Sequence, residues 1–213
     1  TARRLTAAVG AGVARVVYAS SSSVHGEAER YPCRETDLPR PQSPYGVTKL
    51  AGEHLCLAHA RHDGLPVVAL RYFSVYGPRQ RPDMGLRRLF EAARTGARFP
   101  RYGDGSQVRD LTYVDDVVGA TVAAATVALD GPLVANVAGG TQVSVAELIE
   151  RVAAVTGCPV AVDDRPEQHG DVTRTGGDTT IARAVLGWAP ATGLDDGLAA
   201  MAALCVAPVM PGQ

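Results

Sequence analysis

The segment Pro66–Tyr72 (PVVALRY) constrains this chain more than any other. Its apolar character does not alternate, so a strand built from it must be covered on both faces, as in a parallel sheet. A helix precedes it. Ser43 is placed to cap that helix, Pro44 takes the first helical position, where a missing N–H removes no bond, and Gly64 ends it after about His62. Val47, Leu50, Ala51, Leu55 and Ala58 fall at three- and four-residue spacing and are expected to form its buried stripe. Further upstream, Ala2–Ala14 reads as a helix entering a strand at Arg15–Ala19. Ser20–Ser23 follows, too polar to continue a buried strand. Helix, strand, helix, strand is the alternation of a doubly wound α/β fold.

The remainder is less regular. Pro32, Pro39, Pro41 and Pro44 mark a loop, and Gly85–Thr95 a short helix. Asp104-Gly105 predicts a hairpin turn within Arg101–Ser106, followed by an extended Arg109–Val114. Asp115 is expected to cap a helix reaching about Leu129. Val134–Val137 and Pro159–Val162 read as strands. Ser144 and Glu147 form a capping box opening a helix to Thr156. Asp178 is expected to cap a helix ending near Gly187, and a last helix covers about Leu194–Cys205. Trp188 reads as core.

The chain has 213 residues, 46% hydrophobic and 20% charged, with a formal net charge of −1. That balance carries no electrostatic footprint for nucleic acid or an anionic membrane. No apolar run approaches the roughly 20 residues of a membrane span, and no secretory signal is recognised before the first strand. Cys33, Cys56, Cys158 and Cys205 are scattered, and the histidines show no ligand spacing, so no metal site is expected and reduced thiols in the cytoplasm are.

The chemistry concentrates in Tyr45-Gly-Val-Thr-Lys49. Residues four apart share a helix face. A free phenol, with a pKa of about 10, is a poor base at neutral pH, and a cation one turn away favours its phenolate. Tyr45 could then take a proton from a sugar hydroxyl. The serine run lies past the C-terminal end of a predicted parallel strand, where open α/β sheets bind ligands. Ser21 could hydrogen-bond the same substrate oxygen.

These residues, with VVYASSSSVHG (16–26), SPYGVTKLAGEHL (43–55), LPVVALRYFSVYGPRQRPDM (65–84), YGDGSQVRDLTYVDDVV (102–118), NVAGGTQVSV (136–145) and HGDVTRTGGD (169–178), resemble the extended short-chain dehydrogenase/reductases, in particular the NAD-dependent UDP-hexose 4-epimerases. The resemblance implies a Rossmann-like sheet plus a smaller α/β substrate domain. Residues 1–78 would be the C-terminal part of the NAD-binding domain and 79–213 mainly the UDP-sugar domain. It implies Ser21, Tyr45 and Lys49 as the catalytic trio. Ala19, Ser20, Tyr45, Lys49, Tyr72 and Phe73 would contact NAD. Ser21, Ser22, Ser23, Tyr45, Ser74, Arg81, Tyr102, Arg109 and Asp171 would contact substrate, with Arg109 on the diphosphate, Tyr102 beside the uracil and Asp171 near the ribose. His25 stands where the family has Tyr, and Ser74 where it has Asn or Thr.

The family's Gly-rich strand–turn–helix, which cradles the cofactor pyrophosphate, is not recognised, so the chain resembles a product lacking roughly the first hundred residues of the family pattern. It is expected to be part of a longer enzyme; standing alone, it would hold NAD weakly and expose a sheet edge. Arg79-Gln-Arg-Pro-Asp-Met84 is similar to the UDP-glucuronate 4-epimerases, with Arg81 meeting the substrate carboxylate; UDP-glucose or UDP-galactose is the other substrate implied. The remaining alternatives are a UDP-glucuronate decarboxylase, a sugar 4,6-dehydratase, and a non-catalytic nucleotide-sugar-binding chain. The dehydratases' Asp-Glu pair is replaced by Ser22-Ser23. A homodimer through the Tyr45 helix, with Leu50, Leu57 and Ala58, is also implied.

Overall fold

A computed structural model describes residues 1–167 and 170–205. Gln168, the motif residue His169 and the Cys205 side chain lie outside the described set. In chain order the elements are α1 (Ala2–Gly10), β1 (Val16–Ser21), a short 3-10 helix (Ser22–Val24), α2 (Pro44–Asp63), β2 (Val67–Tyr72), β3 (Ser74–Tyr76), α3 (Gly85–Thr95) and β4 (Phe99–Tyr102). There follow β5 (Val108–Tyr113), α4 (Val114–Thr126), β6 (Leu133–Val137), β7 (Gln142–Ser144), α5 (Val145–Thr156), β8 (Val162–Arg165), α6 (Thr180–Leu186) and α7 (Leu194–Cys205).

The first layer is a parallel sheet in the order β1-β2-β6. As its sequence requires, β2 is central and buried on both faces from Val67 to Arg71. Each Val or Leu so buried stabilises by about 1.5–3 kcal/mol. On one face Val68 and Leu70 pack with Val117, Ala120 and Ala124 of α4 and with Leu186 and Trp188. On the other, Val67 packs with Leu5, Cys56 and Leu65. The chain thus returns to this sheet with α4, β6 and α6 after leaving it at Tyr72.

The second layer places β3 parallel to β5 and β7 antiparallel to β5, with β4 and β8 as a separate parallel pair. Its core joins Phe90 and Leu89 of α3, Leu148, Ile149 and Val152 of α5, and Leu198 and Met201 of α7.

Several expectations are corrected. The first strand continues through Ser20 and Ser21, which pair with Arg71 and Tyr72. Their hydroxyls are internally bonded, so polarity does not end the strand. The proposed apolar stripe of α2 does not face the core. Gly46, Gly52, Glu53 and Cys56 are buried instead, while Val47 is 51% exposed and Leu55 39%. Asp104-Gly105 makes a turn, in which Asp104 accepts the Ser106 N–H, but no hairpin, because β4 pairs with β8. Asp115 caps nothing: Tyr113 is the N-cap of α4, and Asp116 accepts the N–H groups of Ala191 and Thr192. That helix ends at Thr126. The strand predicted at Pro159–Val162 instead runs Val162–Arg165. The last turn before α6 uses Asp178 to accept the Thr180 N–H, although the N-cap is Thr179. The Ser144–Glu147 capping box and the core position of Trp188 are as read from the sequence.

Candidate active site

The site is built where β1 and β2 end and α2 begins. Ser43 Oγ accepts the Gly46 N–H at 3.1 Å and so starts α2 against the serine turn. Two glycines allow the close approach. A Cβ on Gly46 would come within 2.5 Å of the Ser23 carbonyl oxygen, and one on Gly52 within 2.0 Å of the Tyr18 hydroxyl. Tyr45, 54% exposed, therefore stands at the strand ends rather than in the core. Lys49 reaches back across β1. Its Nζ donates to the Ala19 carbonyl at 2.8 Å and lies 5.5 Å from the Tyr45 ring centroid and 5.7 Å from that of Tyr18. Ser21 Oγ accepts the Ser23 N–H and donates to Ser23 Oγ, both at 3.1 Å.

One cleft of about 630 Å³ collects most of the residues expected from sequence: Ala19, Ser20–Ser23, Tyr45, Lys49, Tyr72, Phe73, Ser74 and Arg81. Not all present side chains to it. Ser20 is buried and donates its hydroxyl to Glu53 at 2.8 Å. Phe73 is 1% exposed, and its ring packs where a Cβ on Gly177 would clash at 2.6 Å. The Tyr72 hydroxyl bonds Thr121 at 2.9 Å. Arg81 is exposed and already holds Asp83 through Nε and Nη2, at 3.0 and 2.9 Å.

Tyr102, Arg109 and Asp171 line a second cavity of about 300 Å³. It shares Ser74, Val75, Gln80 and Met84 with the cleft, so the two are adjoining compartments with a common wall. Arg109 Nη2 donates to Asp171 at 2.6 Å, so these two predicted ligand contacts meet each other. Tyr102 is 41% exposed.

Three features escaped sequence reasoning. Gln80 donates to the Val75 carbonyl at 2.8 Å and pins the common wall. Asp110, one residue beyond Arg109, is buried and accepts the N–H groups of Gly140 and Gly177 at 3.1 and 3.2 Å; burial raises its carboxyl to about 6. Glu53 and Arg71 form a buried pair beneath the cleft. A legible signal existed for Glu53, which continues the four-residue spacing of Tyr45 and Lys49. His25 is buried with neither ring nitrogen well bonded, facing the equally unbonded Asn136 side-chain oxygen. Burial and the Arg71 charge push its imidazole down to about 4, so it is neutral at physiological pH. Among the described residues no group of His, Cys, Asp and Glu side chains could hold a metal ion.

The NAD dependent epimerase/dehydratase family model matches residues 1–138. The Bacillus subtilis protein named uncharacterized UDP-glucose epimerase YtcB is 40% identical over 85% of this chain and 57% of its own length. A UDP-glucose 4-epimerase of Mycolicibacterium smegmatis is 39% identical over 93% of this chain and 64% of its own. A dTDP-glucose 4,6-dehydratase of Streptomyces griseus is also 39% identical, over 93% and 61%. Among solved structures, MoeE5, in complex with NAD and either UDP-glucuronic acid or UDP-glucose, shares 48% identity and superposes with a TM-score of 0.92, covering 95% of this chain and 68% of that one. The chain therefore spans 57–64% of the length of the curated relatives it matches. On the family match and these identities, the chain belongs to the NAD dependent epimerase/dehydratase family.

Proposed function

We propose that this chain is the catalytic and sugar-nucleotide-binding part of an NAD-dependent UDP-sugar 4-epimerase, working through a 4-keto sugar, with UDP-glucuronate favoured over UDP-glucose and UDP-galactose. The observation that carries the reading is the convergence of Tyr45, Lys49 and Ser21 on one cleft, with Arg109 in the adjoining compartment. In this reading residues 1–78 complete an NAD-binding domain and 79–213 mainly bind the nucleotide sugar, with α4, β6 and α6 returning to the first layer.

The donor set fits the nicotinamide end of NAD. Among the described residues the Lys49 ammonium has one acceptor, Ala19, so two of its three protons remain for ribose hydroxyls. When bound, NAD supplies a site that takes up a hydride and returns it. The protein's part is protonic and positional. Tyr45 removes the proton from the sugar 4-hydroxyl and gives it back, with Lys49 one turn away on the same helix face. Ser21 holds the same oxygen. Ser22 and Ser23 hydrogen-bond the sugar weakly enough for the keto intermediate to turn. Arg109 anchors the diphosphate with a planar fork suited to phosphate oxygens. Tyr102 lies beside the uracil and Asp171 near the ribose. Ala19, Ser20, Tyr72 and Phe73 meet the cofactor, Ser20 and Phe73 through their backbones because their side chains are buried.

For UDP-glucuronate, Arg81 with Ser22, Ser23 and Ser74 would hold the C6 carboxylate. That role has chemical value, because oxidation at C4 creates a β-keto acid that loses CO2 readily, and donors can hold the carboxylate away from the geometry of loss. Substrate would exchange Asp83 for its own carboxylate on Arg81. An exposed ion pair of this kind is weak, so the exchange is easily made.

The relative named as a dehydratase favours a second reading, loss of water across C5–C6 after oxidation at C4. That reaction needs an acid near the sugar, and among the described residues lining the cleft there is no Asp or Glu. The full-length protein, assayed separately with UDP-glucuronate and UDP-glucose, should return the C4 epimer at unchanged mass. A product lighter by water or by CO2, or turnover of UDP-glucose alone, overturns the reaction or the substrate preference respectively. A homodimer through α2, with Leu50, Leu57 and Ala58, is proposed with it, as is a cytoplasmic setting. Among the described residues no helix is long and apolar enough to cross a membrane.

A further inference from the structure

Under the cleft lies a charged network that the mechanism above does not use. Glu53 on α2 is 2% exposed and Arg71 on β2 is 3% exposed. Arg71 Nη2 donates to Glu53 Oε1 at 2.7 Å and its Nε to Oε2 at 3.1 Å. Ser20 Oγ donates to the same Oε2 at 2.8 Å. The remaining fork nitrogen, Nη1, donates to the Glu35 carbonyl at 3.2 Å, and the Glu35 side chain accepts the Asn136 N–H on β6 at 2.7 Å.

Stability alone is a poor account of such a pair. Desolvating two charges offsets most of their attraction, and a well-packed apolar pair of similar volume is often as stable. What the fork supplies is direction. Glu53 lies one turn beyond Lys49 and two beyond Tyr45, and Ser20 is the neighbour of Ser21. Three bonds converge on one carboxylate from two strands, so the helix cannot slide or roll along the sheet without breaking them.

We infer that Glu53 and Arg71 are positioning residues, which set the placement of Tyr45 and Lys49 against Ser21 through the bonds Glu53 makes to Arg71 and Ser20. They touch no substrate. They act by holding the proton-transfer groups in one geometry, and this rests on the epimerase reading above. The pocket for the diphosphate is built on other elements, β5 and the segment containing Asp171. Loss of the network should therefore lower kcat while leaving the KM for the UDP-sugar nearly unchanged.

The test uses the full-length protein. Glu53→Gln keeps the side chain's shape but cannot accept from both arms of the Arg71 fork. Ser20→Ala removes only the tether to the serine strand. The double variant Glu53→Leu with Arg71→Met replaces the pair by apolar groups and keeps the fold if Glu53→Gln does not. Misplacing reacting groups by about 1 Å can lower the rate about a hundredfold. We expect the double variant to melt near the wild-type temperature yet lose roughly tenfold or more in kcat, with KM within about twofold, and Ser20→Ala to show a smaller loss in the same direction. Wild-type kcat in the folded double variant, or a loss expressed in KM, overturns the inference. If the wild-type protein turns over neither UDP-sugar, the functional reading fails by itself. Amide hydrogen exchange over Ser20–Ser23 and Tyr45–Lys49 then decides the positioning role: faster exchange in the double variant supports it, and unchanged exchange overturns it.

Discussion

The two compartments of the candidate site hold their polar groups in opposite ways. In the cleft, Lys49 is tied to the exposed Ala19 carbonyl, while Ser20, the neighbour of Ser21, rests on the buried Glu53–Arg71 pair through its bond to Glu53. In the second cavity, Arg109 is held by Asp171, a carboxylate whose side chain is 45% exposed. One region keeps a fixed geometry before any ligand arrives. The other has a half-exposed partner, Asp171, which in the proposed reading a diphosphate displaces from Arg109. In the proposed reading the first compartment needs fixed distances for proton transfer and the second must let a long nucleotide enter and leave, and the two constructions are consistent with those demands.

The largest effect should come from the fixed side. Tyr45→Phe in the full-length protein should reduce kcat by about a hundredfold to ten-thousandfold, the range for loss of a general acid–base group, with UDP affinity unchanged by calorimetry. Next, Arg109→Leu should weaken UDP binding about tenfold to a hundredfold, as expected for losing charge-assisted hydrogen bonds, with far less effect on the maximal rate at saturating substrate. Equal losses in both parameters for both variants would dissolve the distinction between the compartments.

Asp110 tests the frame behind the second cavity. Its folded carboxyl is raised to about 6 from an ordinary 3.8, first by burial. The folded state thus holds this proton more tightly than the unfolded chain. The contribution is fully present below the ordinary value and is lost as pH rises through about 6. Asp110→Asn should remove that slope in thermal denaturation followed against pH. It should also destabilise by about 1–2 kcal/mol at neutral pH, because one oxygen cannot replace two acceptors for Gly140 and Gly177. The smallest effect is reserved for the displaceable partner. Asp171→Asn keeps a polar group where the proposed reading puts the ribose and removes the charge that holds Arg109, so UDP should bind at most about fivefold more tightly. A large drop in affinity would make Asp171 a principal ligand contact.

Much of the fold was legible because local signals and burial agreed. Pro66–Tyr72 reads as a doubly covered strand and is one. Ser43, Pro44 and Gly64 bound α2 as their chemistry requires, and Ser144 with Glu147 opens α5. Other readings failed where tertiary partners override periodicity. The apolar residues of α2 face outward because its buried face needs Gly46 against the serine turn and Gly52 against Tyr18 of β1, and the hydrophobic pattern alone gives no sign of that. Ser20 and Ser21 remain in a strand because Glu53 and the turn beyond satisfy their hydroxyls. Asp104-Gly105 turns without a hairpin because the partner of β4 lies far along the chain, at β8. In the candidate site, type and spacing singled out Tyr45 and Lys49, and the family resemblance pointed to Arg109. The supporting pair Glu53–Arg71 and the acceptor Asp110 matter through who faces them, which is a three-dimensional fact.

The wall of Ser74, Val75, Gln80 and Met84 belongs to both compartments. If the cleft takes the sugar and the second cavity the nucleotide, as proposed, selection on one cannot be separated from selection on the other. A substitution here that widens the cleft for a bulkier hexose also reshapes the seat of the carrier. Changes in substrate range should accordingly arise as paired replacements, one in this short segment and one compensating within the second cavity, rather than as single steps.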